Sequence, residues 1–123
     1  MVSSRRCSLR VAAGLFVLWA GGPAAAQTPA SYFEFLMARR LEAQGEEDGA
    51  LEALERAVAA DPASAEIRAE VASFQFRRSR NTEAETAALR ALELDDQNQE
   101  AHRVLGLIQA ASVDAMTDRK SVV

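Results

Sequence analysis

The sequence predicts an all-α fold of antiparallel helix–turn–helix pairs stacked into a short solenoid. Three observations carry that prediction. No window alternates apolar and polar residues with period two, so no strands are expected. Alanine is abundant, while the 123 residues hold only three prolines and six glycines, a composition that favours helix. Finally, one amphipathic stretch occurs twice. Ala50–Pro62 places Ala50, Leu54, Ala57 and Val58 on one helical face and Glu52, Glu55 and Arg56 on the other. Ala84–Asp96 repeats it at an offset of 34 residues, Ala50 answering to Ala84, Arg56 to Arg90, Ala57 to Ala91 and Asp61 to Asp95. Asp61-Pro62 is a stop, because proline cannot continue a helix and biases the residue before it away from helical angles.

Residues 1–26 read as a secretory signal peptide outside the fold. Arg5, Arg6 and Arg10 form a basic start, Val11–Ala20 is apolar, Gly21-Gly22-Pro23 breaks it, and Ala24-Ala25-Ala26 supplies small residues for cleavage after about Ala26. The apolar run is short for a membrane span, and an uncleaved anchor is the rival reading. Export by the general or the twin-arginine route is expected, the Arg5-Arg6 pair being the mark of the second. Cys7 would leave with the leader, so no disulfide is expected in the mature chain. Cleavage removes three arginines and no acid, taking the formal charge from −4 to −7. That sign argues against nucleic acid and anionic lipid as partners, and no membrane association is expected after cleavage.

Residues 27–30 form a linker. The first helix is predicted over Ser31–Ala43, with Ser31 and Glu34 as a capping box and Phe33, Leu36, Met37 and Leu41 buried. Gly45 ends it, since glycine tolerates the left-handed angle that follows a helix. The second helix, about Glu47–Ala60, has acidic residues at its start, where the helix dipole favours them. A third, about Ala65–Arg78, buries Ile67, Val71 and Phe74, with Phe76 on a different side. Thr82 and Glu85 form a second capping box for a helix reaching Leu94. Asn98 is the expected N-cap of a fifth, about Gln99–Ala111 or longer, with Ala101, Val104, Leu105 and Ile108 inward.

Helix, short turn, helix at a period of 34 resembles the tetratricopeptide repeat, and particular residues agree. With Ser31 as a first position, Met37-Ala38, Leu41, Gly45, Ala50, Leu54, Ala57 and Pro62 fit the family pattern. Val71-Ala72, Ala84, Ala91 and Leu94-Asp95 fit in the second unit, and Ala101 and Leu105-Gly106 in the third. Glu34 and Arg68 stand where the family has tryptophan, Gln75 replaces a tyrosine-like residue, Ala88 a large apolar one, and Asp96 a proline. The units are expected at 31–64, 65–98 and a partial 99–111, about two and a half repeats within a domain of 31–111. Residues 112–123 lack second-helix signals. They read as a capping helix with a frayed tail, or as the end of a truncated chain. Asp118–Val123 matches one translation of a common sequencing adapter, and this tail is expected to be non-native.

Catalysis is not expected. The mature chain has no cysteine and one histidine, His102, read as a packing residue, so no metal site, catalytic residue or cofactor site is assigned. The resemblance implies a protein–protein interaction scaffold of the cell envelope or secreted space, with first helices lining a concave groove that takes a peptide or partner protein. Tyr32, Phe35 and Arg39 would face it from the first unit, Ser73, Phe76 and Arg77 from the second, and Arg103 from the third. Tyr32 and Phe35 could equally cover the end of the core. The Lys/Asn set with which some members grip chaperone C-terminal carboxylates is missing. An N-terminal module of a longer secreted enzyme is the alternative, and self-association through an open C-terminal repeat face is a further expectation.

Overall fold

The computed structural model describes residues 28–121; the signal peptide expected at 1–26 lies outside them. Five helices follow in order: α1 (Pro29–Ala43), α2 (Glu47–Ala60), α3 (Ala65–Arg77), α4 (Asn81–Leu94) and α5 (Gln99–Ser121). There is no strand among the described residues. The 34-residue period governs the backbone as well as the side chains. Shifting the bounds of α2 by 34 reproduces those of α4, the end of α1 maps onto the end of α3, and the start of α3 maps onto the start of α5. Short loops fold α1 back on α2 and α3 back on α4, as expected for antiparallel helical neighbours. The pairs stack through α2 on α3, and α5 packs on both α3 and α4.

Local chemistry explains most of the boundaries. Thr28 caps α1, its side chain accepting from Ser31 N at 3.3 Å, while Ser31 Oγ donates to Thr28 O at 2.8 Å. The expected Ser31–Glu34 capping box is therefore corrected. The helix begins earlier, because Pro29 fits the first turn without needing its missing N–H. At the other end Gly45 adopts φ +79°. Glu46 N donates to Leu41 O at 2.9 Å and Gly45 N to Glu42 O at 3.0 Å, which completes a Schellman turn. The same turn closes α3, with Arg80 N on Gln75 O at 3.0 Å and Ser79 N on Phe76 O at 2.9 Å. Here Ser79 takes the left-handed angle, φ 59°.

Ser64 caps α3 by accepting from Ile67 N at 3.3 Å, and Asn98 caps α5 as expected, accepting from Ala101 N at 2.9 Å. The second capping box is not formed. Helix α4 starts at Asn81, ahead of Thr82, and has no side-chain cap. Helix α5 continues beyond Ala111 to Ser121, and Val113 and Met116 on it are exposed.

The interior divides into two clusters with α3 between them. Ala38, Ala50, Ala53, Leu54 and Phe74 form the first, with Phe35, Met37, Leu41, Leu51 and Val71 packed around it. Ala69, Ala72, Ala84, Ala88, Ala91, Ala101 and Val104 form the second, with Phe76, Leu92, Leu105 and Ile108 at its margin. Phe74 and Phe76 thus serve opposite clusters, as their expected placement on different sides of α3 requires. The expected buried side of α1 needs correction. Met37 and Leu41 pack inward, but Phe33 is 60% and Leu36 48% exposed, and the buried positions are Ser31 and Ala38. The inner face of α1 is turned by the register of its close contact with α2, where small residues meet, and Phe33 and Leu36 fall outside it. His102 is also corrected. It is exposed, with ring Nε2 2.8 Å from Asp96 O, and packs against no core.

Candidate functional site

Helices α1, α3 and α5, the first of each unit, share one face. Side chains bridge it from helix to helix. Arg39 on α1 reaches Glu70 on α3 at 2.8 Å. Arg77 on α3 grips Glu42 on α1 with two parallel donors, Nε to Oε1 at 2.9 Å and Nη2 to Oε2 at 3.0 Å. Arg77 Nη2 also lies 3.5 Å from Glu70 Oε1. Between α3 and α5, Ser73 Oγ donates to Glu100. Glu100 in turn accepts from Arg103 Nε at 2.8 Å and Nη2 at 2.5 Å. The two-pronged Arg77–Glu42 contact fixes geometry as well as charge between α1 and α3, whereas the Arg103–Glu100 pair lies within α5 and meets α3 through Ser73.

The ladder has a depth order. Glu70 is 16% exposed against 55% for its partner Arg39, and Glu42 is 23% exposed against 41% for Arg77. The carboxylates form the floor and the guanidiniums the rim. One consequence appears at Glu100. The Arg103 side-chain hydrogen bond, helped by Ser73 and by the charges of Arg103 and Arg77, holds its carboxyl down from about 4.5 to about 2 against the opposing effect of burial. Arg103 is raised in return, chiefly by the same hydrogen bond.

An open cleft of about 360 Å³ lies on this face. Phe35 from α1, Ile67 and Ala69 from α3 and Asn98 before α5 line it, together with the carboxylate-bearing Glu66, Glu70 and Glu100. Positions 66 and 100 are one repeat apart, so two of the three acids come from the same place in successive units. Among the described residues, no group of His, Cys, Asp and Glu has the arrangement to hold a metal ion, and no helix is long and apolar enough to cross a membrane.

The seven residues expected in the groove are distributed as follows. Phe35 lines the cleft and packs on the first cluster. Tyr32 is 52% exposed. Arg39, Arg77 and Arg103 lie in the ladder, and Ser73 is buried beneath it. Phe76 packs against the second cluster. The family pattern points to the cations of this face but not to its carboxylates Glu42, Glu66, Glu70 and Glu100. A signal was present: positions 66, 70, 73 and 77 recur at helical spacing on one face of α3.

The family model described as tetratricopeptide repeat matches residues 41–108. No curated protein sequence matches the chain. Among solved structures, the chain is similar to the second TPR of Spaghetti (RPAP3), solved bound to the HSP90 peptide SRMEEVD. The identity is 23%, the TM-score 0.63, and the match covers 70% of this chain and 80% of that one.

Proposed function

Because the chain belongs to the tetratricopeptide-repeat family, we propose that it is a non-catalytic interaction module that receives an extended segment of a partner protein along the face of α1, α3 and α5. The observation that carries this reading is the cleft itself. It is walled by an aromatic ring, floored by charge, and crossed by pairs that hold three helices in fixed relation. Such a surface combines an apolar anchor with oriented polar groups, which is what recognition of an extended peptide needs. The peptide seen on the structural neighbour supports the mode of use.

Peptide display against the full chain tests the reading. Wild type should enrich related sequences, and Tyr32→Ala combined with Phe35→Ala should abolish the enrichment while the helical circular-dichroism signal persists. Identical enrichment by both chains would sink it. Residues 1–26 support export to a periplasmic or extracellular space. Mass spectrometry of the secreted or envelope fraction should find Gln27 as the first residue.

A further inference from the structure

We infer that, before cleavage, residues 11–20 of this same chain pack on the outer face of α1 and cover Phe33 and Leu36. Tyr32, Phe33 and Leu36 are 52%, 60% and 48% exposed. Leu36 follows the other two at helical spacings of four and three residues, so the three side chains form one apolar patch. The repeat itself shows how these positions are covered. One period on from Phe33 and Leu36 stand Ile67 and Glu70, and two periods on stand Ala101 and Val104. Ile67, Ala101 and Val104 are buried, and the Glu70 side chain is largely covered. Ala101 and Val104 share the second cluster with Ala84, Ala88 and Ala91 of α4, the helix that precedes α5 in the chain. Helix α3 likewise packs on α2, the helix before it. Helix α1 carries large apolar side chains at these positions but has no preceding helix among the described residues. The end unit of a repeat array ordinarily turns a polar face outward there.

The segment ahead of α1 has the composition and the reach to cover the patch. Residues 11–20, VAAGLFVLWA, are apolar throughout, and no charged residue stands between Arg10 and Glu34. Shifting the bounds of α2 back by 34 gives 13–26, so this run enters the period where a helix packing on α1 is due. Residues 21–27 join it to Thr28, a connection of the length that commonly links packed helices. The extended chain from Ala20 to Thr28 spans about 27 Å, whereas Leu36 lies only about 12 Å along the helix from Thr28. Gly21-Gly22-Pro23 supplies turn residues for the reversal. The contact takes apolar surface of both partners out of water. Cleavage after about Ala26 then bares the patch, so it is available to a partner only in the mature chain. The docking is independent of the peptide groove; the uncovering rests on the export reading of residues 1–26.

Trp19 is the single tryptophan of the chain and reports on this contact. In the full chain with the leader retained, its fluorescence should lie to the blue of free tryptophan and resist quenching by acrylamide. Phe33→Gln combined with Leu36→Gln should shift the emission back to the red and restore quenching. The helical circular-dichroism signal should persist, because both side chains are exposed on the described fold. Leu89→Gln removes a similarly exposed leucine from α4 and should change neither readout. Sedimentation should find a monomer whose emission does not change on dilution. A water-exposed Trp19 in the parent chain would overturn the inference, as would a blue shift that survives the double substitution. A blue shift lost on dilution would assign the apolar run to a second copy, and one seen only with phosphatidylcholine vesicles would assign it to lipid; either result overturns the docking.

Discussion

Leu54 and Ala88 hold the same place in successive units, 34 residues apart, and both are almost wholly buried. Around Leu54 lie Phe74, Phe35, Met37 and Leu41; around Ala88 lie Ala69, Ala72, Ala84, Ala91 and Ala101. The first unit is held by large side chains with much apolar surface to bury. The buried centre of the second is alanine apart from Val104, with larger residues only at its margin; alanines bury less but favour helix and let backbones approach. The two loops differ in the same direction. Gly45 takes the left-handed angle freely, whereas Ser79 takes it with a side chain attached. One period therefore supports two solutions, and α3, which feeds both clusters, is where they are joined.

Four experiments bear on that comparison, and urea unfolding followed by circular dichroism measures the first three. The largest effect is expected from Phe74→Ala, which empties the first cluster and removes the ring beneath the Arg78 guanidinium, now 4.5 Å from its centroid. A loss of about 3–5 kcal/mol is expected. A loss below about 1 kcal/mol would mean that the first cluster does not depend on large residues. Next, Ala88→Leu gives the second unit the residue type of the first. In a site closed around alanine it should cost about 1–3 kcal/mol, and a gain would show that the alanine cluster has room to spare.

The loops come third. Ser79→Gly should stabilise by about 1 kcal/mol by relieving the left-handed angle, and Gly45→Ala should destabilise by a similar amount. The cost at Gly45 would be conformational alone, because a Cβ there meets nothing within 4 Å. Equal responses at both sites would remove the contrast between the loops.

The smallest effect is electrostatic. The folded-state pKa of Glu100 lies below its ordinary value. Its contribution is thus fully present above about 4.5 and is lost as pH falls through about 2. The Glu100 side chain is 38% exposed, so solvent screening reduces the effect to about 0.5 kcal/mol. Stability measured from pH 6 down to 2 should fall less steeply for Glu100→Gln than for the parent chain.

How much of this was legible in the chain follows from the range of each interaction. The five helices, the start of α2, the Asn98 cap and the left-handed Gly45 rest on residues within a turn of one another, and the period is the recurrence of such a local pattern 34 residues on, so sequence pattern sufficed to determine them. The capping boxes failed for a local reason too. Thr28 and Pro29 outcompete Ser31 at the head of α1, and α4 begins before Thr82. The ladder could not be read this way. Arg39 meets Glu70 and Arg77 meets Glu42 across 31 and 35 residues of sequence, and only the stacking of one helix pair on the next brings them together. The same holds for depth. A helical pattern shows that Phe33 and Leu36 share one side of α1 and Phe35 lies on another, but not which side a neighbour covers. The chain by itself determined the repeat and its helices, because those are periodic and local. Tertiary structure alone decided that Arg39, Arg77 and Arg103 pair with glutamates and that Phe33 and Leu36 stay exposed, because charge pairing and burial depend on which helix lies opposite.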